Sequence, residues 1–193
     1  MRRTLTMILL AAAVLSVAAP VMAQRYRDRY ERPRRIEGRA LGTVHIGMSS
    51  PTGDLGDVFD SGLGFGASIG YGISESVVLS LGLSHHSFDH EEFSDEKVTI
   101  TPGTFNADYV FGSRSSLMPW VGGGIGIYNV NDQIEGLPDE DESSFGFNLG
   151  AGVAGPIGRR TLIGAGFRYH SVSGDELPDS EFVTFQVGLG FFL

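Results

Sequence analysis

Residues 63–71 read LGFGASIGY and show most clearly the pattern that runs through the chain. Apolar side chains occupy every second position, and glycine or serine stands between them. Successive side chains of a β-strand point to opposite faces of a sheet, whereas helical residues share a face every three or four positions. The stretch therefore predicts a β-strand with one aliphatic and aromatic face and one small, polar face.

The same alternation recurs along the chain from Ala40 to Leu193. It predicts eight strands of about 9 to 14 residues, separated by connections that alternate in length. The first strand is expected at about 40–48, the fourth at 97–111, the fifth at 117–130 and the last at 181–193. Short connections are expected at 72–75, 112–116 and 155–160, and long ones at 49–61, 87–96, 131–144 and 172–180.

Alternating short turns and long loops are typical of an up-and-down barrel in an outer membrane. Hydrocarbon offers no hydrogen-bond partner to a free strand edge, so a spanning sheet must close on itself. We therefore predict an all-β fold, an eight-stranded antiparallel up-and-down transmembrane β-barrel over residues 40–193, in which the first strand pairs with the last. A soluble β-sandwich is the alternative, because alternation alone does not tell the inner face from the outer one.

The N-terminal segment predicts export of the chain. Residues 1–23 resemble a secretory signal peptide, with two early arginines, an apolar run from Met7 to Ala19 and a cleavage site before Gln24. Residues 24–39 hold seven arginines and three acidic residues. We predict that they form a flexible periplasmic leader; an arm that binds anionic lipid or another polyanion is the alternative.

Composition and charge exclude several classes of function. The chain contains no cysteine, which excludes disulfides, thiolate zinc sites and cysteine nucleophiles. Its net charge of −9 argues against binding of nucleic acid. The four predicted long loops, together with Glu181, hold 18 of the 23 acidic residues, whereas Arg114, Arg159 and Arg160 lie on short turns. This distribution predicts acidic loops outside the cell and arginine-bearing turns in the periplasm.

The predicted barrel resembles the small eight-stranded outer-membrane β-barrel family, which includes the outer-membrane protein A transmembrane domain, opacity-type proteins and the outer-membrane protein W group. The resemblance rests on Pro51-Thr52-Gly53-Asp54, the glycine-rich strand 61–71, Gly166-Phe167-Arg168-Tyr169 and the alternation over 185–193. It implies localisation in the cell outer membrane, contact with outer-membrane lipid and lipopolysaccharide, and recognition of the C-terminal strand by the barrel-assembly machinery. The family's C-terminal signal commonly ends in Phe, whereas this chain ends in Leu193.

A cluster of polar residues falls on the predicted inner face of the barrel. Its members are His45, Asn106, Asp108, Asn148, Arg168, His170 and Gln186. An unpaired charge is costly in a packed interior, so Arg168 needs a partner, and Asp108 is the only carboxylate inside a predicted strand. We predict a structural, hydrogen-bonded plug that blocks conduction, although Asp108 is expected nearer a short turn and Arg168 nearer the long loops.

A hydrolytic triad is one alternative that the C-terminal half suggests. His170 could act with Ser171 or Ser173 and with Glu176 or Glu181. An outer-membrane lipid A deacylase resembles this chain in barrel type and in an Arg-x-His stretch, but its His and Ser stand two residues apart on one face. Here the residue two positions after His170 is Val172, which argues against the triad.

Two further groups could hold a cation. His85, His86 and His90, followed by Glu91 and Glu92, are potential metal ligands, but adjacent strand residues point to opposite faces. The acidic run 139–142 lacks the regular oxygen spacing of a calcium loop. No catalytic residue, metal site or cofactor is therefore predicted.

The sequence favours a non-enzymatic barrel with a structural or surface-interaction role that displays its acidic loops to the outside. A narrow channel or transporter for small or apolar solutes is the alternative that the resemblance to the W group implies. A hydrolase that modifies outer-membrane lipid is less favoured.

Overall fold

The computed structural model describes residues 36–53, 56, 59–89, 97–112, 117–133, 140–173 and 180–193. The predicted signal peptide and most of the predicted leader lie outside these residues. The described part contains eight β-strands, namely β1 Ala40–Thr52, β2 Gly62–Gly72, β3 Val77–Asp89, β4 Lys97–Val110, β5 Met118–Gln133, β6 Glu140–Pro156, β7 Thr161–Ser173 and β8 Ser180–Phe192. No helix in the described ranges is long and apolar enough to cross a membrane.

The eight strands form one closed barrel in which each strand pairs with its neighbours in chain order. All pairs are antiparallel, and β1 pairs with β8 from Leu41 opposite Phe192 to Thr52 opposite Glu181. The predicted eight-stranded, up-and-down barrel and its closure through the first and last strands are confirmed. Closure leaves no edge strand with unpaired backbone groups.

Several strands extend further toward the long loops than the sequence predicted. β1 continues to Thr52 instead of ending at 48, and β6 begins at Glu140, inside the connection predicted at 131–144. The reason is that backbone pairing does not require apolar side chains, and Asn131 pairs with Asp141 across β5 and β6. The prediction ended these strands where their apolar alternation ends.

The two faces of the barrel differ as the alternation predicts. The outer face exposes large apolar side chains such as Leu63, Leu81 and Phe147. The inner face carries glycine and polar residues in the middle of the strands, and Asn148 is 1% exposed. The aliphatic and aromatic face therefore points away from the lumen.

Apolar clusters fill both ends of the lumen. The long-loop cluster comprises Phe88, Val98, Ile100, Tyr128, Val130, Val172 and Phe182. The short-turn cluster comprises Ile36, Val78, Met118, Leu162 and Phe192. The sequence analysis did not predict either cluster, although the same alternation places Phe182 on the face of Thr184. The polar residues of the lumen thus lie between two apolar layers.

The last residues of the predicted leader are part of the barrel. Ile36 is 5% exposed within the short-turn cluster, and Glu37 pairs with Gly72 of β2 in a parallel bridge. Contacts with the barrel are therefore present four residues before β1.

Candidate functional site

The centre of the lumen is occupied by a network around Arg168 of β7. Its Nη2 lies 3.1 Å from Oδ1 of Asp108, and its Nη1 donates to Oδ1 of Asn106 at 3.1 Å and to Oδ1 of Asn148. The side chains of Arg168 and Asp108 are 14% and 21% exposed. The predicted ion pair is therefore present, and charge-assisted hydrogen bonds neutralise the guanidinium within the barrel.

The strand register explains why Asp108 and Arg168 meet despite the predicted difference in height. Asp108 lies opposite Gly122, Gly122 opposite Gly150, and Gly150 opposite Arg168. The two glycines leave room for the side chains that cross above them. A Cβ on Gly122 would lie 2.0 Å from Oδ1 of Asp108, and one on Gly150 would lie 3.3 Å from Nε of Arg168.

Trp120 of β5 borders this network and was not included in the predicted cluster. The Cζ atom of Arg168 lies 5.5 Å from the centroid of its ring, a distance at which the ring face attracts the cation. The indole also lies over glycines: a Cβ on Gly152 or Gly166 would come within 2.8 or 2.9 Å of it. The sequence signal for this packing is glycine at the positions opposite the indole: Gly152 of β6 pairs with Trp120, and Gly166 of β7 pairs with Gly152.

Two buried histidines, His86 and His170, form a polar layer next to the long-loop cluster. Nδ1 of His86 lies 2.7 Å from Oγ of Ser49, which in turn lies 2.9 Å from Oγ1 of Thr184. Nδ1 of His170 lies 3.0 Å from the hydroxyl of Tyr128. The predicted cluster contained His170 but not His86, Ser49, Thr184 or Tyr128.

Aromatic stacking holds His170 against the long-loop cluster. Its ring stacks on Phe182 with centroids 4.4 Å apart and an interplanar angle of 5°. The ring of His86 lies 5.6 Å from that of His170. At the long-loop end, the polar and apolar layers are thus packed directly against each other.

All seven residues of the predicted cluster lie on the inner side of the wall. Arg168 brings Asn106, Asp108 and Asn148 together, whereas His170 belongs to the layer above. His45 and Gln186 line a cavity of about 240 Å³ that also borders Asp108, Trp120 and Arg168. The ring of His45 lies over Gly66, because a Cβ on that glycine would come within 2.7 Å of Nε2.

The structure does not assemble the hydrolytic alternative among the described residues. His170 is buried on the inner side, whereas the alternation of β7 places Ser171 and Ser173 on the opposite face. Glu176 lies outside the described residues. The one acid of the set that is described, Glu181, pairs with Ser171 across β7 and β8, which places it away from the lumen.

The potential metal ligands are also separated. His85 bonds Oγ1 of Thr101 at 3.0 Å, whereas its neighbour His86 bonds Ser49 inside the barrel. His90, Glu91 and Glu92, and the side chains of the acidic run 139–142, lie outside the described part of the chain. In the part that is described, no group of three or more His, Asp or Glu residues is placed to hold a metal ion.

Comparison with known proteins follows the architecture. The family model for the outer membrane protein beta-barrel domain matches residues 9–191. Neisserial surface protein A aligns with a TM-score of 0.66 and 16% identity, over 81% of this chain and 100% of that one. The N-terminal β-barrel domain of Pseudomonas aeruginosa OprF aligns at 0.57 and 19%, over 81% and 98%.

A third similar structure is Ail, the attachment invasion locus protein of Yersinia pestis, solved in complex with the heparin analogue sucrose octasulfate. It aligns with a TM-score of 0.56 and 17% identity, over 81% of this chain and 99% of that one. Among curated proteins no relative matches. At these identities, the solved structures support the barrel fold.

Proposed function

Since the chain belongs to the outer membrane protein β-barrel domain family and resides in the cell outer membrane, we propose that it is a non-conducting structural barrel. Its acidic loops are displayed at the cell surface. The observation that carries this proposal is the filled lumen. The network around Arg168 crosses the centre, and an apolar cluster lies at each end.

The packing of the lumen favours a structural role over transport. Eight strands enclose an interior just wide enough for side chains to fill. An ion would have to displace the neutralised pair of Arg168 and Asp108, and it would also have to cross apolar layers that exclude water. The cavity of about 240 Å³ is lined by the short-turn cluster and by Asp108, Trp120 and Arg168, and no residue of the long-loop cluster lines it. It is the one feature that favours the alternative, a narrow channel for small or apolar solutes.

The charge distribution supports display of the long loops to the outside. Glu181 and the four connections predicted as long loops hold 18 of the 23 acidic residues. A surface of this charge attracts basic partners and repels polyanions. We therefore do not expect this chain to bind the heparin analogue with which Ail was solved. The expected partner at the cell surface is a cationic protein or peptide segment.

The outer face supports two further partners. Its apolar side chains suit outer-membrane lipid, and lipopolysaccharide would contact the rim at the long loops. The alternation that ends β8 places Phe185, Leu189 and Phe191 on the outer face, and they are 41%, 38% and 41% exposed. We propose that the barrel-assembly machinery reads this strand. We propose no catalytic role, since His170 bonds Tyr128 and not a serine.

Planar-bilayer recording tests the filled lumen. We expect the pure, folded protein to show no large, steady conductance, because both apolar layers must open before water connects the two sides. A stable porin-like current would contradict the structural role and favour the transport alternative.

An epitope tag tests the direction of display. Inserted in the connection between β5 and β6, the tag should be bound by antibody on intact cells. The matched control is the same tag in the short connection between β6 and β7, which should require permeabilisation of the outer membrane. The reverse pattern would place the acidic loops in the periplasm and contradict the proposal.

A further inference from the structure

Residues 36–39, termed here the N-terminal strap, run across the short-turn mouth of the barrel. The backbone N–H of Gly38 donates to the carbonyl of Gly72 at 2.9 Å, and that of Gly72 donates to the carbonyl of Arg39 at 3.0 Å. Gly38 adopts a φ of +73°, in the left-handed region that favours glycine. The strap is therefore a defined turn fixed to the end of β2.

Two side chains of the strap pack against residues at the mouth of the barrel. Ile36 is buried to 5% exposure among Val78, Met118, Leu162 and Phe192. The guanidinium carbon of Arg39 lies 4.2 Å from the ring centroid of Phe192, the last residue of β8. The strap thus contributes an apolar plug residue and a cation that covers its aromatic neighbour.

Ile36 also lines the cavity that contains Asp108 and Arg168. It is the member of the short-turn cluster that does not come from a barrel strand. The seven buried members of the long-loop cluster belong to strands, and the partly buried Phe59 of the β1–β2 connection packs against them. Among the described residues, strands thus supply every buried side chain of the long-loop cluster, whereas the short-turn cluster takes Ile36 from a segment outside the strands.

We propose that the N-terminal strap is a releasable seal in which Ile36 closes the short-turn mouth of the lumen. Release of the strap admits small polar molecules from that side as far as the Arg168 network, while the long-loop cluster keeps the opposite mouth closed. This inference does not depend on the proposed display of acidic loops. It assigns a gating contact to the end of a segment for which the sequence predicted a flexible leader or, as the alternative, a polyanion-binding arm.

Gly72 provides a second way to displace the strap. A Cβ on this glycine would lie 2.2 Å from the carbonyl oxygen and 2.7 Å from the carbonyl carbon of Ile36. Backbone atoms at these distances cannot be avoided by rotation of a side chain. Gly72→Ala should therefore expel the strap and leave the Ile36 side chain unchanged.

The chain contains no cysteine, so a single introduced thiol reports access to the cavity. Ser80 is suitable because it lines the cavity and stands two residues beyond Val78 of the short-turn cluster on β3. Ser80→Cys is combined with Ile36→Ala, with Gly72→Ala, or with neither. Ile73→Ala is the matched control, since Ile73 is 53% exposed in the turn after β2 at the same end of the barrel.

The measurement is the rate at which a charged methanethiosulfonate reagent modifies the thiol in the full chain, extracted in detergent. We expect Ile36→Ala and Gly72→Ala each to raise the rate about tenfold or more, because modification follows the population of the open form. Ile73→Ala should leave it within about twofold, as an exposed substitution does. Only protein that shows the heat-modifiable gel mobility of a folded barrel is scored. If one of the two variants Ile36→Ala and Gly72→Ala does not fold, the rate of the other is sufficient to test the proposal.

Equal rates in all backgrounds, or fast modification with the strap intact, would overturn the proposal. The result is separable from the proposed function, because bilayer recording of Ile36→Ala should remain silent while the long-loop cluster is in place. A current in Ile36→Ala that is absent from the parent protein would show that the strap is the main barrier, which contradicts the part assigned to the long-loop cluster.

Discussion

The two mouths of the lumen are closed by different means. At the long-loop end, Phe88, Tyr128 and Phe182 come from three different strands and pack directly against one another or against His170. At the short-turn end, the cluster is completed by Ile36 from outside the strands. A cluster whose buried side chains all belong to paired strands is held in place by that pairing, whereas a cluster completed by a strap can open locally. On the proposed arrangement, the long-loop mouth contributes stability and the short-turn mouth can open to admit solutes.

Two phenylalanines of β8 provide the most direct test of the difference between the two mouths. Phe182 is fully buried and Phe192 is 4% exposed, and both point inward at opposite ends of the same strand. Phe182 stacks on His170 and meets Phe88 edge-on with centroids 5.6 Å apart. We expect Phe182→Ala to lower the free energy of unfolding by about 3–5 kcal/mol.

Phe192→Ala should cost less, about 2–3 kcal/mol, because its neighbours Ile36 and Arg39 can move to refill part of the space. Urea titration of the folded protein, followed by the emission of Trp120, measures both values, since the chain has one tryptophan. Equal losses at the two positions would remove the distinction between the mouths.

The alternation of residues predicted the faces but not the contacts between them. Leu63 and Gly64 could be assigned to opposite faces because that assignment depends only on neighbouring residues. The long-loop cluster was missed because Phe88 fell within a predicted loop, 87–96, although its alternation with His86 continues. Ile36 was missed because it is the single aliphatic residue of the arginine-rich segment 24–39, and a single residue shows no periodicity. The need of Arg168 for a carboxylate predicted its pairing with Asp108, but the matching height of the two residues depends on three successive strand registers, and no local pattern in the sequence encodes their sum.

The layer between the two mouths can be tested by removing one charge. Asp108→Asn keeps the shape of the side chain and leaves the guanidinium of Arg168 without its carboxylate, which lies 3.1 Å away. We expect a loss of about 3 kcal/mol in the free energy of unfolding, at the lower end for a broken buried pair because Asp108 retains some exposure. The control is Glu37→Gln, which neutralises an exposed carboxylate of the strap.

The double variant Asp108→Asn with Arg168→Met separates the charge from the packing. Replacement of both partners removes the uncompensated charge, so it should recover most of the loss. If the double variant were as unstable as Asp108→Asn, the cost would lie in packing of the lumen and not in the unpaired guanidinium.

The smallest effect is expected where no contact is removed and only space is lost. Gly122→Ala places a Cβ 2.0 Å from Oδ1 of Asp108 and 2.7 Å from the carbonyl oxygen of Ala107. The carboxylate can rotate away from the new methyl group, but the carbonyl cannot, so the strand must shift. We expect a loss of about 1–3 kcal/mol, the usual cost of overpacking.

Gly42→Ala is the matched control for Gly122→Ala, since a Cβ at Gly42 of β1 meets nothing within 4 Å. It should be neutral or slightly stabilising, because alanine has fewer conformations to lose on folding. The loss at Gly122 should also shrink when Asp108 is changed to Ala in the same chain, since the two substitutions then share one space. If Gly122→Ala lowered the free energy of unfolding equally with and without the Asp108 side chain, the glycine would be needed only for the backbone of β5. The Asp108 side chain would then not depend on Gly122 for its path over β5.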